Sequence, residues 1–463
     1  MTRFVPPYPK PMRGFGRWLN LLTRPAKFVF SRRCSLRQLN ERSYSMQLGE
    51  VGLPHKRIYI ANQPELVQRI LVEEADDFPK DPMIADMLGL LMGNSIFVAN
   101  GEEWKCQRRM MDGAFELTRL RAVFAMMREA VDALVARMAA RRDGEEVQVD
   151  VDMTLVTADI IFRTIFSKPF DPAHVEPVYD AFLRFQETAY AHGMLRTFGI
   201  PSLFTGLRYR RARKAADEIR SVLDPVIKER YDAFHAGRKG PEDILESLIA
   251  AKDSVTGRSF TYKELCEQVA TIFLAGHETS ASSLSWALYL LAMDQEIQEN
   301  TRNECASLLG DRAPEFSDMK KLVSVRNVFN EALRLYPPVA FFPRRAAKTC
   351  PMRDKTIAAG STVNVSPWLM HRHRKLWNDP DSFDPGRFRR GDSEQSIRQA
   401  FMPFSRGPRV CLGAAFAMQE ATLILASLLR TFRFEPAPGF EPRPVGRLTV
   451  RSENGIRLRV SRI

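Results

Sequence analysis

The run Phe404-Ser-Arg-Gly-Pro-Arg-Val-Cys-Leu-Gly413 sets Phe404, Gly407, Arg409, Cys411 and Gly413 at the spacing F-x-x-G-x-R-x-C-x-G. It leads straight into Ala414 to Leu429, mostly apolar and rich in helix formers, so Cys411 lies in a loop that feeds a buried helix. A helix N-terminus offers unpaired N–H groups and a positive dipole end, which favour a thiolate over a thiol. One such sulfur can hold a metal from a single side. Gly407 and Gly413 permit positive φ and let the backbone come close to a bulky partner. Arg409, two residues before the sulfur, is placed to pair bidentately with an anionic group beside the metal.

A second stretch, Ala275-Gly-His-Glu-Thr-Ser280, falls inside a helical pattern. Helical spacing puts Ala275, Gly276, Thr279, Ser280 and Ser283 on one strip, all small or hydroxylic, against which a flat group can lie. Thr279 can bond the carbonyl one turn earlier or release it, which opens a groove. Glu278 adds a titratable group there. A hydroxyl beside a carboxylate and water is a suitable proton relay. His277 projects away from the strip and reads as a polar helix residue rather than a second ligand. Glu331 and Arg334 stand one turn apart in an apolar helix before Pro337-Pro338, and Pro385-Gly-Arg-Phe388 follows. Trp104 and Arg108 put an indole N–H and a guanidinium on one helix face.

These motifs, in this order, resemble the cytochrome P450 family of haem-thiolate monooxygenases, and the resemblance covers nearly the whole chain. It implies a mainly α fold with small β-sheets, formed as one domain over residues 1–463. It implies haem b (iron protoporphyrin IX), with Cys411 as axial metal ligand and Arg409, Phe404 and Gly413 around it. Trp104 and Arg108 would hold one propionate and Arg344 the other, with adjacent Arg345 as the neighbouring choice and His371 a further candidate for the region. Thr279 and Glu278 would manage protons. Glu331, Arg334 and Arg387 would form a structural triad that fixes the coil before the cysteine loop; the family often has an acid where Gly386 stands, which the triad does not need. The implied reaction inserts one atom of dioxygen into a lipophilic substrate. No flavin, nicotinamide or iron–sulfur motif is present, so electrons would come from a separate ferredoxin or flavodoxin-type donor with its reductase. Lys105, Arg109, Arg389, Arg390, Arg398 and Arg406 are candidates for its docking face. A peroxygenase or isomerase, or a non-enzymatic haem sensor of lipid or gas, remain alternatives.

Substrate contacts are expected from 81–98 (Met83, Met87, Leu90, Leu91, Ile96, Phe97), from the aromatic-rich 179–206 and from Val339 to Phe342. The elements that position all these groups are chiefly helices: 102–140, 262–291 and 322–336, the last stopped by the double proline. Strand-like pieces lie at 56–61, 147–151 and 361–365, irregular coil at 378–403, and a terminal hairpin from Arg447 with Asn454-Gly455 as its turn. At 463 residues and 45% hydrophobic, the chain can bury a large core. Its six cysteines show neither C-x-x-C nor framework spacing, which points to reduced thiols in the cytoplasm. A net charge of +13 without a nucleic-acid motif favours an acidic protein or a membrane surface as partner, not nucleic acid. No run of roughly 20 apolar residues exists to span a bilayer. Residues 1–34 form a proline-rich, basic extension: Pro6, Pro7, Pro9 and Pro11 look like the hinge of anchored relatives without the anchor. The amphipathic Phe15–Phe30 could touch a membrane peripherally. A monomer is expected.

Overall fold

The computed structural model describes residues 3–9, 34–52, 56–197 and 206–463. Among helices of ten or more residues, α1 is Met83–Met92, α2 Gly101–Asp112, α3 Leu117–Ala139, α4 Val149–Phe166 and α5 Pro172–Thr197. Then come α6 Gly206–His235, α7 Tyr262–Met293, α8 Gln295–Leu309, α9 Val323–Leu335 and α10 Ala414–Thr431. The architecture is mainly helical with small sheets, as expected.

α7 is the axis of the molecule. Thr261 caps it in a reciprocal box with Glu264, which satisfies two orphan donors at its start. From Leu265 to Ala292 nearly every side chain is buried, because α4, α9 and α10 surround it. Gly276 is required by that packing: a Cβ there would sit 2.9 Å from Ile161 of α4. Thr157 of α4 donates to the His277 carbonyl at 3.0 Å across the same seam. On the opposite flank Trp286 stacks on Tyr336, with centroids 3.8 Å apart, and ties α7 to the end of α9.

One sheet orders Leu48–Gly52, Arg57–Ala61, Thr362–Val365 and Phe342–Arg345, with a parallel pairing only between the middle two. A second joins Glu145–Gln148, Arg457–Arg462 and Phe432–Pro436.

Several expectations are corrected. The helical region 102–140 is two helices separated by a short 3-10 turn at Gly113–Phe115. The strand over 147–151 ends at Gln148, since Val149 already starts α4. The stretch 378–403 holds a 3-10 turn at Pro385–Phe388 and a helix at Glu394–Ala400. At the tail, Asn454-Gly455 does turn the chain, with Gly455 at φ +74°, but the strands beside it do not pair with each other. Val450–Ser452 pairs back onto Pro444–Gly446, while Arg457–Arg462 crosses to the other sheet. The amphipathic segment 15–30 lies outside the described residues. No described helix is long and apolar enough to cross a membrane.

Candidate active site

The loop that carries Cys411 is shaped by its glycine and its neighbours. Gly407 has φ +71°, and a Cβ there would lie 2.1 Å from the Leu71 carbonyl oxygen, so only glycine lets the loop press on the 69–73 turn. Gly413, expected to be similar, has φ −88° and open space around it. The Cys411 N–H donates to the Phe404 carbonyl at 2.9 Å, and Arg108 of α2 donates to the Val410 carbonyl at 2.7 Å. The thiol therefore projects from a loop held at both sides.

It projects into a cavity of about 1330 Å³ that runs between the loop and α7. Cys411, Phe404, Arg409 and Gly413 line it below; Ala275, Gly276, Glu278 and Thr279 line it above; Trp104, Arg108 and Arg344 close one edge. Burial pushes the Cys411 thiol above its ordinary value, while the Gly413 N–H and Arg108 pull the other way. The helix-end effect expected from sequence is thus present but outweighed by desolvation in the protein alone.

Thr279 donates its hydroxyl to the Ala275 carbonyl at 2.7 Å, and Ser283 does the same to the Thr279 carbonyl at 2.8 Å. Glu278 is buried, accepts from the Thr449 hydroxyl at 2.6 Å and lies 3.3 Å from Arg451. Its second oxygen, Oε2, is buried without a hydrogen bond. His277 points the other way, between Phe273 and Phe182, with Nδ1 2.7 Å from the Phe273 carbonyl.

The edge of the cavity is strongly cationic. Arg344 turns inward while Arg345 turns out, because alternate residues of a strand face opposite sides. Arg409 lies over the Trp104 ring at 4.9 Å and donates to the Ala75 carbonyl at 2.6 Å, but its Nε is buried with no acceptor. The sequence reading missed Lys80. It is 9% exposed, donates to the Ile96 and Ala99 carbonyls, and is pushed down to about 6 by burial and by Arg344 and Arg409. The available signal was a lysine in the turn before the apolar 81–98 stretch, and a lone lysine does not announce a buried partner. A second missed group is Glu420 of α10. It is fully buried against Ser280, and burial pushes it up to about 8 although the Ser280 hydroxyl pulls the other way.

Away from the cavity, Glu331 accepts from Arg334 at 2.7 and 2.8 Å, from Arg387 Nε at 3.0 Å and from the Asp384 N–H at 2.9 Å. The guanidiniums go on to carbonyls of the 371–382 coil: Arg334 to His371, Pro380 and Ser382, Arg387 to Asn378 and Asp379. His371 is corrected: it is buried in this network, accepts from the Met402 N–H at 2.9 Å, and does not line the cavity. The expected docking cations are mostly engaged in local ion pairs. Lys105 pairs with Glu102, Arg109 with Asp253, Arg389 with Glu304, Arg390 with Asp384 and Arg398 with Glu394, so most of that charge is neutralised locally. Arg406 donates to the Arg398 and Phe401 carbonyls. Of the expected substrate contacts, Met83, Met87, Ile96, Phe97 and Val339 to Phe342 line the cavity. Leu90 and Leu91 instead pack in the core. From 179–206, Phe182, Gln186 and Tyr190 reach the cavity, and 198–205 lie outside the described residues.

The family profile described as Cytochrome P450 matches residues 6–459. The chain belongs to the cytochrome P450 family. Cyclooctatin synthase of Streptomyces melanosporofaciens is 32% identical over 86% of this P450 and 85% of its own length. Pentalenene oxygenase of Streptomyces avermitilis is 30% identical over 87% of each. Among solved structures, the haem domain of cytochrome P450DA superposes with TM-score 0.81 at 25% identity, covering 100% of this chain and 99% of that one.

Membership brings a haem-thiolate cofactor, and the residues of this P450 fit one. Among the described residues no cluster of three or more His, Cys, Asp or Glu could hold a metal ion. Among the described residues Cys411 is the one Cys or His that lines the cavity, which suits a metal that brings its other ligands, as a porphyrin does. The macrocycle's two carboxylates answer the cationic edge: Arg344 and Arg409 depress the proton affinity of Lys80, Arg409 depresses that of Arg344, and Arg409 Nε lacks an acceptor.

Proposed function

We propose that this P450 is a single-domain monooxygenase in which the Cys411 sulfur would hold the haem iron and Thr279 with Glu278 governs proton supply. A haem-dependent monooxygenase uses dioxygen, an organic substrate and electrons from a redox partner, and that much follows from the family. One observation carries the finer reading: a lone thiol and a hydroxyl-bearing helix face each other across one cavity whose edge is cationic. When bound, the haem supplies the redox centre that activates dioxygen. Lys80, Arg344, Arg409, Trp104 and Arg108, which line one edge of the cavity, would hold its carboxylates and so orient it. Thr279 keeps its hydroxyl hydrogen on the Ala275 carbonyl and turns its oxygen lone pairs to the cavity, where they accept from water. Glu278, steadied by Thr449 and Arg451, lines the same cavity and supplies the carboxylate of the proton relay. Met83, Met87, Ile96 and Phe341 exclude bulk water and accept a lipophilic substrate. Two relatives are named for cyclooctat-9-en-7-ol and pentalenene, which supports a lipophilic, compact substrate. A ferredoxin or flavodoxin-type protein is the donor and the cytoplasm the compartment. The larger apolar cluster draws residues from Cys34 to Val460, which supports one folding unit.

The spectrum of the reduced carbon monoxide adduct tests the ligand. A thiolate-type Soret band is expected from the wild type and its loss from Cys411→His, whereas an imidazole-type band in the wild type would contradict the assignment.

A further inference from the structure

Segment 93–99 joins α1 to α2 and gives Ile96 and Phe97 to the wall of the cavity. Residues of α7 hold one side of this wall. Glu267 accepts from the Asn94 N–H at 3.0 Å, Gln268 accepts from the Ile96 N–H at 3.1 Å, and Thr271 donates to the Ser95 hydroxyl at 2.6 Å. On the other side, two of its carbonyls hang on one side chain: Lys80 Nζ donates to Ile96 at 2.5 Å and to Ala99 at 2.8 Å. The backbone of that lysine is itself fixed. Asn100 bonds its N–H and its carbonyl, and it bridges in antiparallel fashion to Arg344. An ammonium has three hydrogens to donate, so one remains for a group in the cavity, which Lys80 lines. The charges acting on the amine are Arg344 and Arg409, both repulsive, and with burial they push it down to about 6. At neutral pH the haem-free protein therefore holds the wall through a mostly uncharged amine. An anion at the cationic edge would restore the charge and convert both carbonyl contacts into stronger, charge-assisted bonds.

We infer that Lys80 is a positioning residue that couples the haem carboxylates to the substrate wall, so that haem binding fastens segment 93–99 and with it Ile96 and Phe97. The substrate pocket is then completed in a fixed order: haem first, the wall second, the lipophilic substrate last. This rests on the reading above that Lys80 faces the haem carboxylates, and it adds what that contact does for the substrate side of the cavity.

Amide hydrogen exchange, read by mass spectrometry on peptides covering 93–100 of the whole protein, tests the coupling. The wild type is compared loaded with haem and loaded with haem dimethyl ester, which keeps the ring and iron but carries no carboxylate charge. Exchange across 94–99 should be about tenfold slower with haem than with the diester. Haem-loaded Lys80→Met should match the diester-loaded wild type there and leave exchange in α10 unchanged. Gln268→Leu, which cuts the α7 side of the wall, should speed exchange by a similar factor with either porphyrin. Equal protection with haem and its diester, or unchanged exchange at 94–99 in haem-loaded Lys80→Met, overturns the inference. Faster exchange throughout the chain in Lys80→Met would mark a general packing role and overturn it as well. Soret absorbance is recorded for every sample, so a wild type that takes up no haem would sink the cofactor reading separately, before any exchange is measured.

Discussion

At the scale of single residues, the Thr279 hydroxyl serves two masters. Its hydrogen is bound to the Ala275 carbonyl, and its lone pairs are left for water in the cavity. Thr279→Ala removes the acceptor while leaving the helix intact. The fraction of nicotinamide reductant converted to product should fall about tenfold, with peroxide released instead, and Thr279→Ser should restore most of it. Product and peroxide measured against reductant consumed decide the matter; full coupling in the alanine variant would remove the role. Lys80 gives a pH-dependent prediction. Folded without haem, its amine sits near pH 6, against 10.5 unfolded. Between those values the unfolded chain holds a proton that the folded chain lacks, so stability of the haem-free protein rises with pH. The slope reaches up to about 1.4 kcal/mol per pH unit. Denaturant midpoints from pH 6.5 to 9.5 should show that rise in the wild type, lose it in Lys80→Met, and lose it again when haem carboxylates restore the amine's charge.

At the scale of elements, the carboxylate of Glu331 binds α9 to the coil that delivers the cysteine loop. Both guanidiniums are essentially excluded from water and spend their remaining donors on carbonyls of 371–382. Arg387→Met leaves Glu331 with one cationic partner, and Arg334→Met removes three carbonyl contacts besides. Each should cost about 3–5 kcal/mol in denaturant unfolding and lower haem retention, Arg334→Met the more. A variant that keeps both stability and haem content would show that this network does not hold the loop. The same scale explains a misreading at the tail. Asn454-Gly455 does form a turn, but Arg457–Arg462 finds better partners in Phe432–Pro436 and Glu145–Gln148, so the local hairpin loses to a distant sheet.

At the scale of the whole molecule, the +13 charge and the local ion pairs act over different distances. An acidic donor protein feels the summed field from afar, so reduction by it should slow about tenfold between 50 and 500 mM salt. Close to the surface, most docking cations already face a carboxylate. Arg398→Gln, which also releases Glu394 at a 3.8 Å contact, should therefore change the reduction rate less than about threefold. Stopped-flow reduction across a salt series reads both; a flat series would remove charge steering. The long helix at 262–291 and its small-residue strip were legible in the sequence because helical period and glycine spacing are local patterns, and so was the cysteine loop. What Gly276 packs against was not legible, since Ile161 lies 115 residues upstream, and neither was the inward turn of Lys80.

By itself the sequence determined the family, because its motifs depend on residue types at short spacings that a single helix or loop can express. Only the tertiary structure decided which charges are lone and which are paired. It paired most of the docking cations and gathered Lys80, Arg344 and Arg409 on one edge. Pairing and burial depend on segments hundreds of residues apart meeting across one core, and no local pattern records that meeting.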